Sequence, residues 1–256
     1  MEKKIPVSVV IITKDEEKNI APCLESVKWA DEIIVVDDYS SDKTVEIAQR
    51  YTEKVIQRKM DVEGRHRNWA YAQAKNKWVL SLDADERVTP ELKDEISGYF
   101  NHGLSSDFKG YTIPRRNYIG DYWVRYGGWY PSPQLKFFDK DNFKWEEVEV
   151  HPRAFLDGAC GRMKNDIVHY SYKDFGNFLY KINSQTTWEA KKWVDDKREI
   201  SLGKALWRAI DRFFRGYIRK KGYKDGFIGF MVGIFASLYQ VMSYAKYWEA
   251  KKNGFK

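Results

Sequence analysis

The sequence predicts an α/β fold built on a doubly wound, mainly parallel sheet and followed by a basic helical extension. Three observations carry that reading. The run VSVVIIT (7–13) is apolar and β-branched, the character of a strand buried on both faces, and DEIIVVDD (31–38) reads as a second buried strand. Strand-like and helix-like segments alternate four times before residue 86, which implies parallel pairing through right-handed crossovers. Acids gather where the apolar runs stop, at Asp37, Asp38, Asp83 and Asp85, the carboxyl edge at which such sheets bind ligands.

Taken in order, VSVVIIT is the first core strand. Its apolar run stops at Ile12 and Lys14 follows, too short a stretch for a signal peptide. KNIAPCLESVKWA then sets Ile20, Leu24 and Val27 near helical spacing. After the second strand, SSDKTVEIAQRY opens with Ser and Asp capping chemistry before a second helix. KVIQR (54–58) is a short strand, residues 63–76 are helical in pattern, KWVLSLDAD is the fourth strand, and a further helix begins at Pro90.

Composition bounds the alternatives. A 256-residue chain that is 43% hydrophobic and 16% aromatic buries a sizeable core and is not disordered. Cys23 and Cys160 are lone thiols without zinc or disulfide spacing. The net charge of +7 is unevenly spread: residues 1–100 carry 16 Lys/Arg against 20 Asp/Glu, and residues 181–256 carry 17 against 7. A basic tail on a neutral to acidic body points to an anionic partner, either a membrane surface or nucleic acid.

Two pairs of carboxylates at one sheet edge repel unless a cation or a hydrogen-bonding ligand joins them. Asp83 and Asp85 suit Mg²⁺ or Mn²⁺, hard ions that keep waters and take phosphate oxygens beside one or two protein carboxylates. The plainer reading makes Asp83 and Asp85 turn or helix-cap residues, and Asp37 and Asp38 ordinary turn acids beside Ser40 and Ser41.

VSVVIITKDEEKNI, EIIVVDDYSSDKT and RNWAYAQAKNKWVLSLDADE, in that order, resemble successive segments of the family 2 glycosyltransferases. The likeness runs on through IPRRNYIGDYWVRYGGWYPSPQLKFF, WEEVEVHPRAFLDG and IVHYSY to AKYWE, nearly the whole chain. It is nearest to the bacterial branch that adds glucose to the lipopolysaccharide inner core, often described as β-1,4-glucosyltransferases. The resemblance implies a Rossmann-like GT-A fold, a UDP-sugar donor and a metal-dependent, inverting transfer to a lipopolysaccharide-core or similar lipid-linked saccharide. It also implies site roles. Thr13, Glu16 and Asp37 or Asp38 border the nucleotide. Asp83 and Asp85 form the DxD site, with Asp85 the better candidate for the metal. Arg67 and Asn68 lie near the nucleotide, and Arg65 is a weaker candidate. Lys136 stands where relatives often show arginine, keeping the charge but losing the bidentate fork.

Sugar transfer from a nucleotide diphosphate needs charge stabilisation on the departing diphosphate and a base for the acceptor hydroxyl. WEEVEVHPR supplies Glu146, Glu147, Glu149 and His151; strand alternation would place the last three on one face and Glu146 on the other. The resembling branch usually reads His-Glu where this chain reads His151-Pro152. Glu149 or Glu147 is the favoured base, with His151 a donor-side or acceptor-side contact. His169 in IVHYSY reads as structural or substrate-lining. The loop of Tyr118, Trp123 and Trp129 after Arg115 and Arg116 suits sugar stacking or core packing.

The expected domains are a catalytic region over 1–180 and a basic, membrane-associating helical region over 181–256. In KALWRAIDRFFRGYIRKKGYK, Lys204, Arg208, Arg212, Arg215 and Arg219 recur every three or four residues, opposite Leu206 or Trp207, Ile210, Phe214 and Tyr217 or Ile218. That is a helix suited to an anionic interface. GFIGFMVGIFASLYQVMSYA (226–245) has no charge, yet its glycines, serines and glutamine favour a buried or interface-embedded helix over a span. The expected location is the cytoplasmic face of the cell membrane, bound peripherally. Two alternatives remain: a polyprenyl-phosphate sugar transferase, separable by dependence on lipid phosphate, and a non-enzymatic basic protein binding membrane or nucleic acid. Charge alone supports the latter, no RNA or DNA motif is recognisable, and nucleic acid is not an expected partner.

Overall fold

In the computed structural model, which describes residues 4–101, 107–148 and 152–253, the apolar runs form the strands expected of them. The alternation is β1 (Ile5–Thr13), α1 (Ile20–Glu25), β2 (Ala30–Asp37), α2 (Thr44–Ala48), β3 (Val55–Gln57), α3 (Glu63–Ala72) and β4 (Trp78–Asp83). A tight turn leads to β5 (Glu86–Val88) and α4 (Pro90–Asn101). Eight strands follow: β6 (Phe108–Ile113), β7 (Arg115–Ile119), β8 (Tyr122–Trp123), β9 (Gln134–Asp139), β10 (Phe143–Trp145), β11 (Ala154–Leu156), β12 (Ala159–Arg162) and β13 (Ile167–Tyr172). The chain closes with α5 (Phe175–Asp195), α6 (Leu202–Phe214) and α7 (Gly226–Asn253). Helix α3 stops at Ala72, short of the expected residue 76, because Gln73 and Ala74 turn back onto the carbonyls of Ala70 and Tyr71.

The chain divides into two compact units, Met1–Arg115 with Pro133–His169, and Arg116–Ser132 with Tyr170–Lys256. The boundary expected at residue 180 falls inside α5, and the aromatic loop after Arg115 belongs with the C-terminal helices.

The first unit is built on a seven-stranded sheet in the order β12-β6-β9-β4-β1-β2-β3. Strands β4, β1, β2 and β3 run parallel, and β9 enters antiparallel between β4 and β6. Val9, Val10 and Ile11 of β1 are fully buried, which is why the run does not alternate with polar residues. One face packs Ile20 and Leu24 of α1 and Leu92 and Ile96 of α4 with Leu80, Leu82 and Phe137. The other packs Ala70 and Tyr71 of α3 with Val10, Ile34, Phe138 and Phe143. The register sets Thr13 beside Asp37 and Ile12 beside Asp83, so the acids share one edge.

In the second unit, β7 and β8 form a hairpin with Tyr118 opposite Trp123. Phe178, Ile182, Val232 and Phe235 build its core with Ile119 and Val124, and Tyr172 stacks on Phe178 at 3.9 Å between centroids. Asp174 and Ser201 cap α5 and α6 through their side chains, as expected of N-cap residues. The buried carboxylate of Asp225 accepts from Tyr126 N at 2.8 Å, from Tyr122 Oη at 3.2 Å and from Arg125 N at 3.3 Å, tying residues 122–126 to the start of α7. Gly229 is required here, because a Cβ would stand 1.9 Å from the Gly222 carbonyl oxygen.

Helix α6 buries Ala205 and Ala209 and hydrogen-bonds α7 through Ser237 Oγ to the Ala209 carbonyl at 2.7 Å. Its apolar side chains face outward: Trp207 is 68% exposed, Ile210 53% and Phe214 54%. Helix α7 shows the same division, with Val232, Phe235 and Tyr247 buried while Phe227, Phe230, Ile234 and Val241 are exposed on a helical stripe. The helical segment Gly222–Asn253 is long and apolar enough to cross a membrane, but one third of its most apolar window is buried in the protein, the mark of a packed helix as much as of a span.

Candidate active site

The carboxyl ends of β1, β2 and β4 bring the expected donor-site acids together, and each then takes a different set of partners. Asp37 is buried and accepts from Ser40 N at 2.9 Å, from Ser40 Oγ and from Gln57 Nε2 at 3.2 Å. Its carboxylate organises the loop after β2. Asp38 is bonded by Lys14 Nζ and Met60 N, each at 2.9 Å. Burial pushes its carboxyl upward, but Met60 N–H and the Lys14 ammonium hold it below the usual range. Glu16 accepts from Asn19 Nδ2 at 2.6 Å. Thr13 Oγ1 is buried with no hydrogen-bond partner among the described residues, a polar atom at the strand end that suits a ligand group.

Asp83 sits in a charged cluster. Arg67 Nη2 of α3 donates to its Oδ1 at 2.8 Å, and Lys136 Nζ of β9 to its Oδ2 at 3.0 Å. Lys136 also donates to Glu86 Oε2 at 2.8 Å, and Arg115 Nη1 lies 3.6 Å from Glu86 Oε1. Burial works against charge on Asp83 and Lys136. The surrounding opposite charges prevail, holding Asp83 well below the carboxylate range and raising Lys136 above its ordinary value. Arg67 also donates to Glu63 Oε1 at 2.9 Å, so three carboxylates and three cations balance in this cluster.

Lys136→Met should therefore be among the most destabilising single changes in the first unit. It leaves the buried Glu86 and the adjoining Asp83 with one cation fewer, at a cost of about 3–5 kcal/mol, read as a lower Tm. Because Asp83 is depressed in the folded protein, its contribution is present above the unfolded carboxylate value near pH ~4 and lost as pH falls; the variant should unfold at higher pH than the parent.

Asp85 is differently placed. The turn between β4 and β5 leaves its Oδ1 buried without a hydrogen-bond partner among the described residues, and its Oδ2 lies 3.6 Å from His169 Nε2. The antiparallel pairing of β5 with β13, with His169 opposite Glu86, brings this imidazole to the acid. Among the described residues no three His, Cys, Asp or Glu side chains converge as a complete metal cage. An orphaned carboxylate oxygen beside an imidazole nevertheless fits Mn²⁺ or Mg²⁺, which complete their shells with water and phosphate oxygens. His169, read from the sequence as structural or lining, stands in this position.

Asn68 bonds the backbone of β10: its Oδ1 accepts from Trp145 N at 2.8 Å and its Nδ2 donates to the Trp145 carbonyl at 3.0 Å. Gly64, one turn earlier on α3, is pressed against the same segment, where a Cβ would stand 1.9 Å from the Glu146 carbonyl oxygen. The strand expected to carry Glu147, Glu149 and His151 ends instead at Trp145. Hairpin β10–β11 pairs Trp145 with Ala154, and beyond it Glu146 N bonds the Arg153 carbonyl at 2.8 Å and the Glu146 carboxylate grips the Arg153 guanidinium. Alternation therefore does not govern Glu147. Its carboxylate is bonded by Asn68 Nδ2 and Arg65 Nε, each at 3.2 Å, and these partners hold it below the usual range. Glu149 and His151 lie outside the described residues. A cavity of about 630 Å³ between α3 and β10–β11, lined by Asn68, Tyr71, Lys144 and Phe155, does not include Asp83 or Asp85 in its walls.

A parallel-rich α/β sheet with acids at its carboxyl edge is the GT-A glycosyltransferase fold. The mannosyltransferase PcManGT of Pyrobaculum calidifontis, solved with GDP-Man and Mn²⁺, superposes with a TM-score of 0.58 over 97% of this chain and 88% of its own, at 12% identity. The chain belongs to glycosyl transferase family 2, whose family model matches residues 8–156. It is 28% identical over 254 residues to an uncharacterised glycosyltransferase of Rickettsia typhi, covering 94% of this chain and 86% of the relative. It is 23% identical over 256 residues to the lipopolysaccharide core biosynthesis glycosyltransferase LpsC of Rhizobium meliloti, covering 97% and 94%.

Proposed function

We propose that this glycosyltransferase is a metal-dependent, inverting enzyme that moves a sugar, glucose by preference, from a UDP-sugar to a lipopolysaccharide-core or similar lipid-linked saccharide at the cytoplasmic membrane face. The observation that carries the donor half is Asp85, with one buried oxygen that has no partner among the described residues and the other beside His169, next to Asp83 and its partners Arg67 and Lys136. Asp85 and His169 would hold Mn²⁺ or Mg²⁺, which when bound supplies Lewis-acid stabilisation to the departing diphosphate. Arg67 and Lys136 fix Asp83 in place. Thr13 and Asp38 border the nucleotide, Thr13 offering its unpartnered hydroxyl. Asn68 contributes by pinning the segment at Trp145 that leads to the base candidates.

For the acceptor, a carboxylate must take the hydroxyl proton as that oxygen attacks the sugar carbon from the side opposite the leaving diphosphate. Glu147 is ill suited, because its two bonds stabilise the ionised form and weaken it as a base. Glu149 is therefore the favoured base. LpsC, named for lipopolysaccharide core biosynthesis, supports the acceptor class. The exposed apolar faces of α6 and α7, beside Lys204, Arg208, Arg212 and Arg215, support a peripheral membrane site.

Calorimetric titration with UDP-glucose, UDP-galactose and GDP-mannose, each with and without Mn²⁺, tests the donor reading. Metal-dependent binding of UDP-glucose is expected, and no binding of any donor by folded protein would sink it. Cosedimentation with phosphatidylglycerol vesicles, and not with phosphatidylcholine vesicles, is the matching expectation for the membrane.

A further inference from the structure

The second unit contains a cavity of about 240 Å³, set between the loop after β8 and the α6–α7 pair. Its walls include Gly127, Gly128 and Trp129 from the loop and Arg212, Arg215 and Lys220 from the helical side. Gly127 and Gly128 have φ of +68° and +88°, a conformation that side chains other than glycine's rarely adopt. The Lys220 side chain lies over Gly128, where a Cβ would stand 2.7 Å from its Nζ. Arg215 is paired with Asp211 at 2.9 Å. The side chains of Arg212 and Lys220 have no hydrogen bond or ion pair among the described residues. The one carboxylate in the wall, Asp225, is already engaged by Tyr122, Arg125 and Tyr126.

We infer that this cavity is a phosphate-binding site, with Arg212 and Lys220 as its charged donors, taking the phosphate of a lipid headgroup or free phosphate. Two cations without partners beside a small concave space call for an anion, and a compact tetrahedral oxyanion suits donors converging from different elements. The surroundings favour the lipid source. Phe214 of α6 and Ile234 of α7, each within two residues of cavity-lining positions, are exposed, so an acyl chain would meet apolar surface close to where the phosphate binds. The inference stands apart from the donor reading, since no residue assigned to the nucleotide or the metal lines this cavity.

Calorimetry on the full chain, with inorganic phosphate in one arm and monomeric dihexanoyl phosphatidic acid in the other, tests the site. Saturable binding is expected. Arg212→Gln and Lys220→Gln should each weaken it about tenfold, the worth of one charge-assisted hydrogen bond. Lys173→Gln, which removes an exposed cation of the same unit outside the cavity, should leave it unchanged. Tighter binding of the lipid assigns the site to a headgroup, and equal binding assigns it to free phosphate. Undiminished binding by the Arg212→Gln/Lys220→Gln double variant would overturn the inference, as would an equal loss in Lys173→Gln. Displacement of phosphate by UDP with Mn²⁺ would make these cations part of the donor site and overturn it too.

Discussion

Asp85→Ala is expected to abolish Mn²⁺-dependent UDP-glucose binding and to lower kcat/KM about a thousandfold, roughly 4 kcal/mol of transition-state stabilisation. The size follows from what the side chain does not do. Asp85 Oδ1 has no hydrogen bond to lose, so the variant should keep its far-ultraviolet circular dichroism and melt close to the parent temperature. Asp83 is the contrasting case. Its two oxygens are bonded by Arg67 and Lys136, so Asp83→Ala should lose stability together with binding. Donor affinity at the parent level in folded Asp85→Ala would show that this carboxylate holds no metal.

Glu149→Gln is expected to leave UDP-glucose affinity unchanged while reducing transfer between about a hundredfold and about ten-thousandfold, the range for loss of a general base. Glu147→Gln should cost far less, because its acid is held ionised by Asn68 and Arg65 and gives up little as a proton acceptor. The pair of variants separates a base from a brace. Near-parent transfer by Glu149→Gln with a large loss in Glu147→Gln would reverse the assignment.

The part of this molecule legible in its sequence is the part set by local pattern. The mostly apolar, β-branched run at Val7–Thr13 announced a strand buried on both faces, and the acids ending β2 and β4 announced the edge that the register now aligns. The antiparallel entry of β9 between β4 and β6 was not legible, because β9 reads like any short apolar strand and its place depends on partners far off in the chain. For the same reason Glu86 and Lys136 could not be seen as one ion pair across 50 residues, although Lys136 drew notice as a lysine where arginine is common. Asn68 shows another side of the same limit. A polar residue beside a basic one on α3 reads as a ligand contact, and its bonds through both ends of the amide to one backbone residue, Trp145, depend on a strand far along the chain. His169 offered little signal in IVHYSY, since its place beside Asp85 is created by the pairing of β13 with β5.

The three bonds accepted by Asp225 mean that the C-terminal helices are not a detachable tail. A shortened protein ending before residue 225 would lose the carboxylate that accepts from the Tyr126 and Arg125 N–H groups, and with it an anchor of a loop encoded a hundred residues earlier. Removing the segment to improve solubility would thus trade an apolar surface for an unmoored aromatic loop. Detergent, or polar replacements at exposed positions such as Trp207 and Ile210, would leave that anchor intact.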